Sequence, residues 1–288
     1  MSSLIKLDGK PLEKLIDAIS KGIGDYRRPG QIRREADAKA YEIITLEKAK
    51  HIAHLHNQEL DQNFVDRMNN RIIEREIWKQ QNIDAIILEA KKQLQNESVS
   101  DDPVEKDWSI RFFNIVEDVA QEELQMIWAK ILAGEVKKPK SFSLRTLELL
   151  KNLSMHEAKI FLKLANYAIC SENVHFIFSE DEEFLKTHSI SVDNRLLLDE
   201  IGLINLSDLN FTFSLADEEQ SESILNFGTK KIIFTLTKAN SHCRFNILPF
   251  TSIGIELLRL IQLDPDDDYI HLVFNRLLAL KFPARITS

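Results

Sequence analysis

Residues 108–154 read WSIRFFNIVEDVAQEELQMIWAKILAGEVKKPKSFSLRTLELLKNLS. Trp108, Phe112, Ile115, Val116 and Val119 recur at three- and four-residue steps, the spacing of one buried helical face. Leu124, Ile127, Trp128, Ile131 and Leu132 repeat that pattern from Glu122 onward, and Gly134 lies near the end of the run. A basic loop, Lys137-Lys138-Pro139-Lys140, follows. Ser143 then stands where it can cap a third helix. Ser154, with Glu157 three residues on, has the pattern of a capping box and opens a fourth. Four helices joined by short loops predict a compact bundle at the centre of the chain.

Upstream, the polar stretch from Asn96 to Lys106 contains Asp102-Pro103 and reads as the main boundary. Before it, Pro11 opens a short helix in which Leu12, Leu15, Ile16, Ile19 and Ile23 share a face. That face predicts packing on the next helix or, as the sharper alternative, docking on a membrane surface or a neighbouring subunit. After a turn at Tyr26–Gly30, residues 31–57 and 61–95 have the Ala, Glu, Lys, Ile and Leu content of long helices. Neither carries a clean heptad, so the expectation is an antiparallel hairpin of long helices suited to self-association rather than a two-stranded coiled coil.

Arg27, Arg28, Arg33 and Arg34 cluster around the turn, where they could grip the phosphates of a nucleic acid or a lipid. Glu35 and Asp37 follow at once, as in an ordinary solvated helix start. His51, His54 and His56 lack a further ligand at metal-site spacing, and no metal or cofactor is expected.

Downstream, Val174–Phe178 reads as a strand and residues 192–203 as a helix. Phe211–Leu215 and Lys231–Thr237 read as further strands, and Phe245–Leu258 as a closing strand and helix. This order predicts a winged-helix-like module over residues 144–263. Its candidate recognition segment, residues 179–200, sets seven acidic residues against Lys186 and Arg195. That is the wrong sign for a DNA groove and favours a protein partner. The run Asp264-Pro265-Asp266-Asp267-Asp268 fails as a calcium loop, with Tyr269 where glycine is needed and Asn275 where glutamate is needed. Asp264 as helix cap with Pro265 in the first turn accounts for it.

Composition agrees with a helical interaction protein. Eight glycines in 288 residues are well below the roughly 20 that average usage gives, which disfavours phosphate-cradling loops. Residues 1–100 hold 17 basic and 16 acidic side chains; residues 101–288 hold 20 and 29. The C-terminal part therefore repels a nucleic-acid backbone. No apolar run reaches bilayer-spanning length. Cys170 and Cys243 form no paired motif, so reduced thiols and a cytoplasmic location are expected.

Several strings carry a family resemblance: Asp107-Trp108, Arg111-Phe112-Phe113, Glu117-Asp118-Val119, residues 125–136 (QMIWAKILAGEV), residues 139–147 (PKSFSLRTL) and Leu150–Leu153. With Lys10–Leu15 and residues 33–38 (RREADA), they resemble an uncharacterised bacterial family, the domain of unknown function numbered 2806. Lys140 departs from it, standing where the family pattern has glycine. Residues 128–135 (WAKILAGE) are also similar to part of the abortive-infection alpha proteins, which are associated with resistance to phage. Neither resemblance supplies a catalytic residue, and none of the common catalytic or nucleotide-binding motifs is present.

The expectation is therefore a mainly α protein: a long N-terminal helical hairpin (1–97), central helices (98–143) and a winged-helix-like C-terminal α+β domain (144–288). It is expected to be a non-enzymatic, self-assembling scaffold or interaction protein, a homo-oligomer, with the phage-resistance setting implied by resemblance alone. The alternatives are a peripheral membrane effector working through the Leu12–Ile23 face and a nucleic-acid-binding regulator working through the four arginines.

Overall fold

The computed structural model describes residues 9–24, 62–188, 190–207, 209–215 and 219–287. The chain divides into two compact units, Met1–Leu147 and Glu148–Ser288. The first arm expected for the N-terminal hairpin, residues 31–57, lies outside the described residues.

In the first unit, α1 (Lys10–Ile23), α2 (Gln62–Gln93), α3 (Lys106–Val116) and α4 (Glu122–Lys137) are helical. The aromatic residues of the central stretch form the core. Trp108 and Phe112 stack at 5.0 Å, and Phe112 meets Phe113 and Trp128 edge-on at 5.2 and 5.7 Å. The Trp108 indole N–H donates to the Phe142 carbonyl at 2.8 Å, so the largest apolar ring also has its polar atom satisfied. α1 lies on α3 and α4. A Cβ at Gly22 would stand 2.2 Å from Phe113 Cδ2 and 2.9 Å from the Ser109 carbonyl, so the close approach needs glycine there.

Only the C-terminal half of α2 is packed. Asn82, Ile83, Ile86, Ile87 and Ala90 are buried, a stripe at helical spacing that faces α4 and α3. Asn82 fixes this half from its side: its amide donates to the Glu117 carbonyl at 2.8 Å. The Lys79 ammonium pairs with the Glu117 carboxylate, and that bond raises the Lys79 pKa above its ordinary value. Residues 96–106 belong to the same unit. Val104 is buried, and the Lys21 ammonium donates to its carbonyl at 3.0 Å. Lys10 pairs with Asp101 at 2.5 Å.

Two further helices lead toward the sheet, α5 (Leu144–Asn152) and α6 (Met155–Ala165). The second starts with the reciprocal Ser154–Glu157 capping box that the sequence pattern predicts. The remaining elements are β1 (Ile169–Ser171), β2 (Val174–Phe178), α7 (Glu182–Thr187), α8 (Val192–Glu200), β3 (Leu209–Ser214), β4 (Gln220–Phe227), β5 (Lys230–Thr237), β6 (His242–Pro249), α9 (Ser252–Leu258), α10 (Asp267–Ala279) and β7 (Ala284–Thr287).

These strands form one antiparallel sheet of seven, in the order β3-β6-β2-β1-β4-β5-β7. Glu172 and Asn173, both at positive φ (47° and 69°), make the tight turn between β1 and β2. Along β5, Ile232, Phe234 and Leu236 are buried, and along β6 Cys243, Phe245 and Ile247 are, each alternating with more exposed neighbours. That is the signature of a sheet with one face on the core. Tyr269 of α10 is fully buried, its hydroxyl accepting the Phe178 N–H at 2.7 Å.

This sheet overturns the expectation of a mainly α chain ending in a winged-helix-like module. A wing requires Phe211–Leu215 and Lys231–Thr237 to pair as one hairpin. Instead β3 pairs with β6 over six residues, and β5 pairs with β4 and β7. Three strands are missing from the sequence reading: the short β1 and β7, and β4 (QSESILNF), whose first four residues are polar and mask its alternation. A smaller correction concerns the acidic run: the cap of α10 is Asp266, which accepts the Tyr269 N–H at 2.9 Å, and Pro265 precedes it.

Candidate functional sites

On α1, Leu15 and Ile19 are buried at 1% exposure each, Leu12 and Ile16 are half-buried, and Ile23 is exposed. The apolar face proposed for docking is therefore turned largely into its own unit. A membrane would have to compete with α3 and α4 for it. Arg27, Arg28, Arg33 and Arg34 lie outside the described residues, as do His51, His54 and His56. No helix among the described residues is long and apolar enough to cross a membrane.

The N-terminal half of α2 shows the opposite situation. Met68, Ile72, Ile73, Ile77 and Trp78 are 41–49% exposed, although each is a residue that normally seeks the interior. Exposed apolar residues scattered singly need no explanation, but at 100° per residue Ile72 and Ile73 sit together on one face with Met68 and Ile77 at its edges, the kind of grouping that marks an interaction surface, while Trp78 lies on the opposite side. The packing reaches only from Asn82 onward, because α3 and α4 cover only that half.

In the second unit, three polar side chains line up across adjacent strands. Cys170 of β1 is directly opposite His175 of β2 and also opposite Asn226 of β4. Directly opposed residues point to the same face of a sheet, so thiol, imidazole and amide form a row. This face is the reverse of the one that buries Ile169, Leu225 and Phe227. The row borders a cavity of about 220 Å³ completed by Ala168, Gly228, Ile255, Leu258, Arg259 and Leu263.

The Asn226 amide donates to the Cys170 carbonyl at 2.9 Å and is held by it. His175 Nδ1 is buried and has no hydrogen-bond partner. Burial lowers the His175 pKa below its usual value; the Asn173 backbone offsets part of this and the positive charge of Arg259 adds to it, so the ring is neutral near pH 7. Burial likewise raises the Cys170 thiol, so it is not a ready nucleophile. The sequence reading missed this row because its members are spread over residues 170–226 and are brought together only by strand pairing.

One group among the described residues has the ligand types for a cation. His188, Asp266 and Asp268 each offer an atom within 4.8 Å of the others. Each already has structural work. Asp266 caps α10 through one oxygen and faces the Tyr167 hydroxyl at 3.4 Å through the other. His188 stacks on Phe184 at 3.8 Å and engages the Phe184 carbonyl through Nδ1 at 2.8 Å. Acidic residues in the first turn of a helix are favoured by its dipole without any metal.

Comparison with known proteins agrees with the resemblance seen in the central strings. Residues 66–274 match the model of a family described as Protein of unknown function (DUF2806). Among curated proteins and among solved structures nothing matches the chain. The matched span is well over half of the chain and runs from the exposed half of α2 through the sheet into α10. The chain is a member of the DUF2806 family.

Proposed function

We propose that this chain is a non-enzymatic interaction protein that self-assembles through the exposed half of α2. The observation that supports this is the set of four large apolar side chains, Met68, Ile72, Ile73 and Ile77, left exposed on one side of a helix whose other half is packed. The occupant of that surface is a second copy of the same helix, running antiparallel, and the argument lies in the order of the residues. At 100° per residue Ile72 and Ile73 sit together at the centre of one face, with Met68 and Ile77 at its two edges. A two-fold axis between Ile72 and Ile73 sets the same apolar face of an antiparallel copy against it. A two-fold interface repeats every contact, so a helix that reads well against its own reverse is suited to form one.

The magnitudes allow a dimer of moderate strength. Eight half-exposed apolar side chains, four from each copy, at roughly 1 kcal/mol each give about 8 kcal/mol, set against an association cost of about 4–15 kcal/mol. The setting we propose is bacterial resistance to phage, supported by the likeness of residues 128–135 to abortive-infection alpha proteins.

The test is the mass of the full chain by light scattering and sedimentation equilibrium. The expected result is a dimer, or an even multiple of one, that Ile72→Asp with Ile73→Asp converts to a monomer of unchanged circular dichroism. Arg71→Glu and Glu74→Arg, on the opposite side of the helix, leave the mass unchanged. A wild-type monomer at tens of micromolar, or a dimer that survives Ile72→Asp with Ile73→Asp, sinks the proposal. Loss of phage resistance in cells carrying the monomeric variant tests the setting separately.

A further inference from the structure

We infer that the open edge of the sheet at β3 is a docking site for one extended, acidic strand of a partner protein, added antiparallel to β3. This strand is the last of the sheet on its side, and its register shows which backbone groups are left over. The Leu215 N–H donates to the Ser241 carbonyl at 2.8 Å, in line with the pairing of Ser214 with His242. Antiparallel bonds to one neighbour recur at every second residue, so Leu209, Phe211 and Phe213 turn their backbone groups to β6. Asn210, Thr212 and Ser214 turn theirs outward, where no backbone group among the described residues bonds to them. Three N–H and three C=O groups thus stand in a row, a template for one more strand.

Sheet edges are normally guarded against other chains by charge, proline or shortness. The opposite edge has all three guards: β7 is four residues long, follows Pro283, and carries Arg285 in an ion pair with Glu222 at 2.8 Å. In contrast, β3 (LNFTFS) has six residues, no charge and no proline. Its core face also ends unfinished. Phe213 is buried opposite Cys243, whereas Phe211, which stacks on Phe176 at 5.2 Å, is half-buried and Leu209 is 44% exposed. A further strand with apolar side chains at alternate positions would cover both. The other face selects the charge. Asn210, Thr212 and Ser214, with His242, Arg244 and Asn246 beside them on β6, are exposed there; they include the cation Arg244, directly opposite Thr212, and no acid. An acidic side chain across from Thr212 is the complement.

The probe is the acetylated peptide amide Thr-Val-Glu-Val-Thr-Val, whose glutamate falls opposite Thr212 and whose valines fall opposite Phe213, Phe211 and Leu209. It is titrated into the full chain carrying Ile72→Asp and Ile73→Asp, so the outcome does not depend on the α2 contact. The readout is the Thr212 amide in a ¹H–¹⁵N NMR spectrum of threonine-labelled protein, assigned by its loss in Thr212→Pro, a substitution that an outward-facing edge nitrogen tolerates. The peptide is expected to shift that resonance saturably, with a Kd of roughly 1 mM or tighter. Methylating the glutamate nitrogen, whose N–H faces the Thr212 carbonyl, should weaken binding at least about fivefold. Methylating the nitrogen of the next valine, whose N–H points away from β3, should leave it unchanged. Wild-type Arg244 should favour glutamate over lysine at the third peptide position, and Arg244→Glu should reverse that preference. A Thr212 signal that does not move at peptide concentrations far above the expected Kd overturns the proposal, as does equal binding of the two methylated peptides or a wild-type preference for lysine. A dimer that persists in the Ile72→Asp, Ile73→Asp chain and dissociates on Thr212→Pro also overturns it, because the occupant of the edge is then a second copy.

Discussion

At the scale of single residues, the loop from Lys138 to Phe142 shows how one buried acid can decide a conformation. Glu135 is 1% exposed, and its carboxylate accepts the Lys140 N–H at 2.7 Å and the Phe142 N–H at 3.0 Å. These bonds hold Lys140 at a φ of 69°, in the left-handed region where glycine is at ease. The position where the resemblance leads one to expect glycine thus keeps the glycine conformation with a lysine in it. Lys140→Gly should therefore stabilise the protein, by about 0.5–1 kcal/mol once the greater freedom of glycine in the unfolded chain is subtracted from the relieved strain. The lost Lys140–Glu105 pair, at 3.6 Å between exposed side chains, subtracts little. Glu135→Ala should cost roughly 2–4 kcal/mol, since it strands two backbone donors. Urea titrations of the two variants check both signs. His175 adds a pH effect. Its folded pKa is depressed from 6.5, so the neutral ring contributes stability that is present above pH 6.5 and lost as pH falls through the lowered value. His175→Gln should flatten the acid limb of stability measured against pH, and an unchanged limb would count against the assignment of a half-buried neutral ring.

At the scale of elements, periodicity was readable wherever one face of an element is buried and the other is not. Trp108, Phe112, Ile115 and Val116 are all buried as their spacing predicts, and Ser154 with Glu157 caps α6 as the pattern requires. Two kinds of information were not local. Strand order is one: β3 and β5 look like partners along the chain, yet β3 reaches past β4 and β5 to pair with β6, and nothing in LNFTFS specifies that partner. The other is coverage, because Met68 and Ile72 have core chemistry and helical spacing but no core over them. The His175–Cys170–Asn226 row was hidden for the first reason and the α2 patch for the second. Glu135 escaped notice because an acid in a helix reads as solvated. The α1–α3 contact offers a test of packing at this scale. In an open helix Gly22→Ala would gain up to about 1 kcal/mol of helix propensity. Here the new Cβ would meet a Phe113 ring carbon at 2.2 Å and a backbone carbonyl at 2.9 Å. The carbonyl cannot rotate away, so α1 must lift, and overpacking of this kind costs about 1–3 kcal/mol. Net destabilisation of Gly22→Ala by denaturant midpoint is the expected outcome, and a gain would mean that α1 does not sit against α3 in solution.

At the scale of the whole molecule, the exposed half of α2 ties stability to association. A chain that folds and pairs has a folded state that is stabilised by its own concentration, whereas a chain that folds alone does not. If α2 forms the proposed two-fold contact, each tenfold rise in protein concentration adds about 1.4 kcal/mol of stability per dimer, which moves the melting temperature by a few degrees for a chain of this length. The Ile72→Asp, Ile73→Asp variant should melt at one temperature whatever its concentration, and should match the wild type only at high dilution. The signal can be made local to the unit that contains α2, because the chain's three tryptophans, Trp78, Trp108 and Trp128, all belong to the first unit. Trp78 is 49% exposed and lies on the side of α2 opposite Ile72 and Ile73, so its emission should not move as the dimer forms. A concentration-independent melting temperature in the wild type would leave the apolar face of α2 without the occupant argued for it. A dependence on concentration that vanishes with Ile72→Asp and Ile73→Asp ties association to this face of the helix.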